Sequence, residues 1–419
     1  MVAAMTVSKS TKKQESPVGI VMSGGGARGA YEVGVIAGIV EALGLTHADK
    51  APFSIFAGTS VGAINSAYLA SNAHHGDFRI EQLVRLWSSL ELRHHLRIDV
   101  AGLLGMRGPG ARGPFRRKPK RIPKRFGHYA LDPRPLEEVV EQNVSWRRLH
   151  RNVREGTVRA LIVAALHIGT GRTAMFAELA PGVDFKPSRD PRRIPRVEPI
   201  TADHVLGSAA IPLVFPARRV GDLYYCDGGI RFNTPMSPAI RAGADRLVVI
   251  SLLRQPKHPV EPDANRDQYF PHPAFLMGKI MNALLLDPVA YDLYVLERFN
   301  RLLEVLESTV GAETMATVNE EISKSRGTGY RSIETLVFTP SDDIGRLASE
   351  HLAASKSFGS GRLRYWLLGR AGDNDATWEA DLASYILFDG GFASRLIAMG
   401  RRDALRRRDE IRDFFLTGK

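Results

Sequence analysis

Val18-Gly19-Ile20-Val21-Met22 runs directly into Ser23-Gly24-Gly25-Gly26-Ala27-Arg28-Gly29, and an apolar segment of helical length, residues 30–43, follows. An apolar run of strand length, a glycine-rich turn and then a helix make one strand–turn–helix unit. The pattern repeats at once. Residues 53–57 read as a second strand, Gly58-Thr59-Ser60-Val61-Gly62 as a second small-residue turn, and residues 61–71 as a second helix. This alternation predicts a parallel sheet covered by helices, an α/β fold. Residues 161–165 and 247–251 read as further buried strands, and residues 333–338 as one more.

The rest of the chain has a different texture. Residues 1–16 are polar with scattered lysines and read as a disordered tail. Residues 102–127 are rich in Gly, Pro, Arg and Lys without helical period, and read as a mobile loop. Five prolines within 254–273 mark a linker, residues 275–306 a long helix or helix pair interrupted near Asp287-Pro288, and residues 376–416 mostly helix. The expected division is tail 1–16, an α/β domain 17–252 and a mostly helical C-terminal extension, 253–419.

The 419 residues are 44% hydrophobic and 24% charged, ordinary for a globular chain with ample length for a large core. The net charge is +12, and it is concentrated. Between Arg93 and Arg125 stand eleven Lys and Arg against one acid, Asp99. The basicity therefore belongs to a loop rather than to the whole fold. Cys226 is the only cysteine, so no disulfide forms within the chain, which fits a reducing, cytoplasmic setting. The N-terminus lacks the apolar core of a signal peptide, and no apolar run is long enough to span a bilayer.

Three motifs carry chemistry. Gly58-Thr59-Ser60-Val61-Gly62 fits G-x-S-x-G, which presents a serine on a strand-to-helix turn. The flanking glycines Gly58 and Gly62 leave room, and the helix start aims partial positive charge at the serine. The blander alternative is a helix start with no chemistry. The loop Gly24 to Gly29 offers unobstructed backbone N–H groups for an oxyanion. It also matches G-x-G-x-x-G, the dinucleotide fingerprint. That reading needs an acidic residue ending the second strand; Asp49 precedes the strand, and Gly58-Thr59-Ser60 occupies the slot. Asp227-Gly228-Gly229 follows the apolar strand Leu223-Tyr224-Tyr225-Cys226 and places a carboxylate where it can face a cleft. A second such string, Asp389-Gly390-Gly391, sits between two helical patterns, so Asp389 reads as a helix-terminating residue.

No metal-ligand spacing appears. His74-His75 and His94-His95 are adjacent pairs that do not share a helix face. His258, His272 and His351 follow Asp227 and can in principle complete a triad, but each reads as a surface histidine. Cys226 reads as packing.

Taken together, Gly24-Gly25-Gly26-Ala27-Arg28-Gly29, Gly58-Thr59-Ser60-Val61-Gly62 and Asp227-Gly228-Gly229 resemble the motifs of the patatin-like phospholipase family. Gly207-Ser208-Ala209-Ala210-Ile211-Pro212, with Phe215-Pro216, resembles the run leading to that family's aspartate. The resemblance covers about residues 17–252. It implies a three-layer αβα core with a mostly parallel central sheet, and lipid acyl-hydrolase activity from a Ser60–Asp227 dyad without a cofactor. It also implies an oxyanion loop drawn from Gly24, Gly25, Gly26, Ala27, Arg28 and Gly29, beside the motif glycines Gly58, Gly62, Gly228 and Gly229. The expected substrate is a phospholipid or another fatty-acyl ester. Arg28 either shapes the loop or adds positive potential.

The basic loop 93–126, with Leu103, Leu104, Met106, Phe115, Ile122 and Phe126 interspersed, suits the surface of an anionic membrane. Nucleic acid is not expected as a partner, since no recognition fold surrounds the loop. A Rossmann-type nucleotide-binding protein and a catalytically silent membrane-interaction module are the alternatives to an enzyme.

Overall fold

The structure is a computed structural model and describes residues 16–90, 125–126, 131–186, 188–212, 214–254, 273–326, 328–354 and 380–416. Strand β1 (Val18–Met22) enters the centre of one large sheet with all five residues buried. A strand covered on both faces must be apolar throughout, which is why it reads as a continuous run rather than an alternation. It pairs in parallel with β2 (Ile55–Thr59) on one side. The sheet holds eight further strands: β3 (Arg125–Phe126), β4 (Ala160–His167), β5 (Arg172–Leu179), β6 (Arg193–Val197), β7 (Ala217–Val220), β8 (Leu223–Asp227), β9 (Arg246–Ile250) and β10 (Glu334–Phe338). The order along the sheet is β10-β9-β1-β2-β4-β8-β7-β3, with β5 also paired to β4 and β6 to β5. The run β10-β9-β1-β2-β4 is parallel throughout.

Helices cover both faces. One face carries α1 (Ala30–Leu43), α2 (Val61–Asn72) and α3 (Ile80–Ser88), beyond which lie α4 (Arg134–Asn143), α5 (Trp146–Arg154) and α6 (Ala202–Ser208). The other face is covered by α7 (Met236–Arg241) and, after α8 (Pro273–Leu285), by α9 (Asp287–Val310), which buries Val289 and Leu293 against the sheet. Then come α10 (Ala312–Arg326), α11 (Ile344–Ala354), α12 (Asp381–Ile386), α13 (Gly390–Leu405) and α14 (Arg408–Leu416). This is the three-layer αβα arrangement with a helix-rich C-terminal region.

That region does not stand apart. Strand β10 extends the parallel sheet, pairing Glu334 to Phe338 with Arg246 to Ile250. Helix α13 lies along α1 at very short range, and a Cβ added to Gly400 would come within 2.3 Å of the Tyr31 carbonyl oxygen. Small residues at the crossing let the two backbones meet.

Two expectations need correction. The second strand begins and ends two residues later than 53–57. Gly58 and Thr59 carry no apolar signal, yet their backbones stay in the ladder against Met22 and Ala164. Residues 102–127 are not wholly loop: Arg125 and Phe126 pair with Arg218 and Ala217 as β3, and Arg125 forms an ion pair with Glu137. The remainder of the basic stretch lies outside the described residues, as do the tail and most of the proline-rich segment.

Gly400→Ala inserts a methyl into the α1–α13 contact. Overpacking of this kind costs about 1–3 kcal/mol, and an unfolding free energy lowered by that amount in urea denaturation is the expected result.

Candidate active site

Two strands share one edge of β4. Strand β2 pairs with Ala160 to Ala164, ending at Thr59 opposite Ala164. Strand β8 pairs with the remainder, and Asp227 stands opposite Ala165. The ends of β2 and β8 therefore meet at consecutive residues of β4. Ser60 is the first residue beyond β2, and Asp227 is the last of β8. Two residues 167 positions apart in sequence are brought together by hydrogen-bond register alone.

Side chains reinforce this junction. The Ser208 hydroxyl donates to the Ala164 carbonyl at 2.6 Å and accepts from the Ser60 amide at 2.8 Å. Asp227 N–H donates to the Ala210 carbonyl at 2.9 Å. Thr59 Oγ1 donates to the Phe232 carbonyl at 3.1 Å, tying β2 to the loop after Asp227.

Ser60 has φ 56° and ψ −126°, a conformation that non-glycine residues rarely adopt. The strain projects the side chain off the end of the sheet at the start of α2. The hydroxyl makes no capping bond to α2, so it stays available. Gly62 is required by close approach: a Cβ there would lie 2.4 Å from the Met22 carbonyl oxygen.

The Asp227 carboxyl is fully buried. Its Oδ1 accepts from the Gly229 amide at 2.8 Å, and its Oδ2 has no aligned partner among the described residues. Burial pushes its pKa up to about 7, while the nearby Ser60 hydroxyl and the Gly229 amide pull it down. The serine thus lies within interaction range of the carboxyl without closing an aligned hydrogen bond. A carboxylate near its ordinary value is a poor base for a hydroxyl; this one is much better matched.

The glycine loop faces the same junction. Gly24 N–H is occupied by Asn233 Oδ1 at 2.7 Å, and Asn233 Nδ2 returns a bond to the Gly24 carbonyl at 3.2 Å. Among the described residues the amides of Gly25, Gly26 and Ala27 have no acceptor. Gly26 has φ +58°, and a Cβ there would come within 2.0 Å of the Tyr385 carbonyl oxygen, so only glycine fits.

Arg28 points away from the junction into the C-terminal region. Its Nε donates to Ser384 Oγ at 2.7 Å, its Nη2 pairs with Asp381 at 2.9 Å, and its guanidinium lies 4.3 Å from the centre of the Tyr385 ring. Lys279 adds a second cation to Asp381 at 3.0 Å. Although burial opposes it, these two cations hold the Asp381 carboxyl below its ordinary pKa. With its charge matched inside a buried pair, Arg28 shapes the loop rather than lending potential to the site.

The other chemistry-bearing residues are placed elsewhere. Asp389 starts a helix instead of ending one: its Oδ1 accepts from the amides of Gly391 and Phe392, capping α13. His351 is not a free surface side chain, because its Nε2 sits 2.8 Å from that same carboxylate. His74 and His75 lie past the end of α2, where the chain turns, and their ring centres come to 3.9 Å; helical periodicity does not govern them. Cys226 is buried, and burial raises its thiol to about 12. His94, His95, His258 and His272 lie outside the described residues.

Asn233 and Ser208 were not singled out as site residues in the sequence. Ser208 entered only as part of the Gly207 to Pro212 run that resembles the approach to the family's aspartate, and Asn233 carried no site reading. Their roles come from tertiary contacts with no local signature.

The family model for the patatin-like phospholipase matches residues 20–240, more than half of the chain. The chain belongs to this family. Among solved structures, VipD from Legionella pneumophila is similar at 14% identity and a TM-score of 0.32, over 92% of this chain and 67% of that chain. No curated protein sequence matches significantly.

Asp381→Ala leaves the Arg28 guanidinium buried without its partner. Loss of one member of a buried pair costs about 3–5 kcal/mol, so a large fall in unfolding free energy is expected. Faster amide hydrogen exchange in residues 24–29 should accompany it in the folded protein, a local effect that a remote packing defect would not produce.

Proposed function

We propose that the chain hydrolyses fatty-acyl esters of lipids through an acyl-Ser60 intermediate, with Asp227 as general base. The observation that carries this is the meeting of a strained, uncapped serine with a buried carboxyl whose second oxygen has no aligned partner among the described residues. Membership of the patatin-like phospholipase family supports the lipid acyl-hydrolase class. A cavity beside the site supports an acyl chain. It begins at Val61, the residue after Ser60, and is walled by hydrocarbon from residues such as Ile64, Leu83, Leu86, Trp87 and Phe215. A fatty-acyl chain matches such walls, whereas a dinucleotide would leave its polar groups unpaired there.

In this reading Ser60 Oγ attacks the ester carbonyl carbon as its proton passes to Asp227 Oδ2. The carbonyl oxygen becomes an oxyanion, which the Gly25, Gly26 and Ala27 amides stabilise. The positive end of α2 adds to that field. Collapse breaks the bond to the alcohol, which leaves with the proton from Asp227. Water then attacks the acyl-enzyme, gives a proton to Asp227, and the fatty acid departs as Ser60 recovers its hydrogen. No histidine is needed, because burial has already raised the carboxyl towards neutral pH.

The basic stretch 93–126 is proposed to meet anionic headgroups; its charge and interspersed apolar residues support that reading.

Ser60→Ala should lower ester hydrolysis by several orders of magnitude and abolish labelling by a fluorophosphonate. Unchanged turnover in purified Ser60→Ala would end the proposal.

The base makes a separate prediction. It must be ionised, so kcat/KM should rise with unit slope below pH 7 and level off above it, with an apparent pKa near 7. The same shift affects stability. The folded protein holds this proton up to about pH 7, whereas the unfolded chain releases it near 3.8. Stability is therefore lost as pH rises through that window. Asp227→Asn should abolish activity yet stabilise the fold at pH 8, on the order of 2–4 kcal/mol, in chemical denaturation.

A further inference from the structure

Helix α1 holds one side chain that packing does not explain. Its buried residues are small, aliphatic or aromatic, with the single exception of Glu32. That carboxyl is fully enclosed. Burying it costs free energy that an aliphatic side chain of the same size would not. Burial raises its pKa well above the ordinary carboxylate range, although Asn65 and the Ser23 amide act the other way. The acid therefore stays protonated well into the range where free carboxylates ionise.

Its partner is Asn65 of α2, which is also fully buried. Asn65 Nδ2 donates to Glu32 Oε2 at 2.8 Å and to the Gly29 carbonyl at 3.2 Å, and Asn65 Oδ1 accepts from Trp87 Nε1 at 3.3 Å. Two acceptors on one side and a donor on the other permit one orientation of the amide. If the amide were flipped, its oxygen would face the oxygens of Gly29 and Glu32. Glu32 supplies the shorter of the two bonds that hold Nδ2.

The position of this amide matters. Gly29 ends the glycine loop, and Asn65 lies on the helix that Ser60 opens. The first turn of α2 lies against both ends of the loop. A Cβ added to Gly29 would come within 2.5 Å of the Val61 side chain, and one added to Gly62 within 2.9 Å of the Ser23 carbonyl oxygen. Such contacts set a distance but allow sliding. A hydrogen bond of fixed direction removes that freedom.

We propose that Glu32 is a positioning residue of the active site: as a hydrogen-bond acceptor it holds Asn65, and through Asn65 the Gly29 end of the glycine loop, in register with Ser60. The inference rests on the acyl-hydrolase reading, because the amides being positioned are those assigned to the oxyanion. Donors displaced from the oxyanion weaken the transition state and leave ground-state binding in place. The loss should therefore fall on kcat, not on KM.

The test uses the full chain with Glu32→Met, Glu32→Gln, Asn65→Ala and the Glu32→Met/Asn65→Ala double variant. Hydrolysis of a soluble p-nitrophenyl ester, thermal melting and amide hydrogen exchange of residues 24–29 are measured on each. Glu32→Met removes the acceptor while keeping the volume. Relief from burying a carboxyl offsets the Asn65 N–H left unpaired, so its melting temperature should stay close to that of the wild type. Its kcat should fall about 10–100-fold at nearly constant KM, a loss of the size that misplacement produces. Exchange in residues 24–29 should quicken. Asn65→Ala breaks the same contact from the other side and should behave alike, so either variant, once folded, decides the matter. The double variant should be no slower than the worse single one, because both act through one bond. Glu32→Gln keeps an acceptor and should retain most of the wild-type kcat and loop protection. A folded Glu32→Met with wild-type kcat and wild-type exchange would overturn the proposal, as would a Glu32→Gln as impaired as Glu32→Met. If the wild type itself hydrolyses no ester, the hydrolase reading fails separately. Faster loop exchange in Glu32→Met than in Glu32→Gln would then still uphold the positioning role, and equal exchange would overturn it.

Discussion

The site depends on the step from Ala164 to Ala165 in β4. Strand β2 uses this edge as far as Ala164, and β8 takes it over from Ala165. One strand arrives parallel and the other antiparallel, so both deliver their C-terminal ends to the same point. The Ala164 carbonyl sits in that gap. It accepts from Ser208, which in turn holds the Ser60 amide. A Cβ at Gly228 would approach it to 2.3 Å. A one-residue slip of either strand would turn every side chain on it to the other face of the sheet. The spacing of nucleophile and acid is thus a property of the sheet, which is rigid, rather than of the loops, which are not.

The glycine loop is positioned from another direction. Nothing in residues 24–29 alone would hold three amides free and aligned. Asn233 anchors its start from the aspartate side, and Ser23 donates to the Ile250 carbonyl at 3.0 Å. Its far end is fixed by Arg28, buried against Asp381, Ser384 and Tyr385 of α12. Helix α8 supports both sides: Lys279 reaches Asp381, Asn282 accepts from the Tyr385 hydroxyl at 2.8 Å, and Asn233 Nδ2 donates to the Leu285 carbonyl. The family match ends at residue 240, so the glycine loop leans on a region outside it. A buried ion pair is a poor source of net stability, but it is a strict one: it tolerates neither partner without the other. Such a pair fixes a loop whose own glycines would let it wander.

The sheet core and the chemistry-bearing turns were legible in the sequence because their signals are local. Strand β1, and β9 after Arg246, are apolar runs, as doubly covered strands must be. Gly26 and Gly62 stand in short glycine motifs that show in composition, although the backbones that require them, those of Tyr385 and Met22, are distant in sequence. What was not legible depends on distant residues. Strand β2 runs to Thr59 because Met22 and Ala164 accept it, not because of its own side chains. Asn233 and Ser208 are ordinary polar residues until the fold brings Gly24 and Ser60 against them. The role of Arg28 was left open between shape and potential, since its partner stands more than 350 positions away in sequence. Asp389 looked like a helix end because glycines commonly end helices, yet its carboxylate caps the next one.

In the proposed reading, the same separation explains how a two-residue site would do the chemistry. A serine hydroxyl gives up its proton readily only to a base of suitable strength. The usual solution is an imidazole; in that reading the fold makes a carboxyl serve by denying it water. Burial alone would leave the acid protonated and inert, so the desolvation must be balanced. One oxygen accepts from Gly229, and the serine hydroxyl acts on the carboxyl from close range. These keep the group poised rather than fixed in either state. The oxygen left without an aligned partner and the three free amides are costs to the folded protein. In that reading they meet the proton and the developing oxyanion charge, and the energy they forgo in the resting protein would be recovered in the transition state.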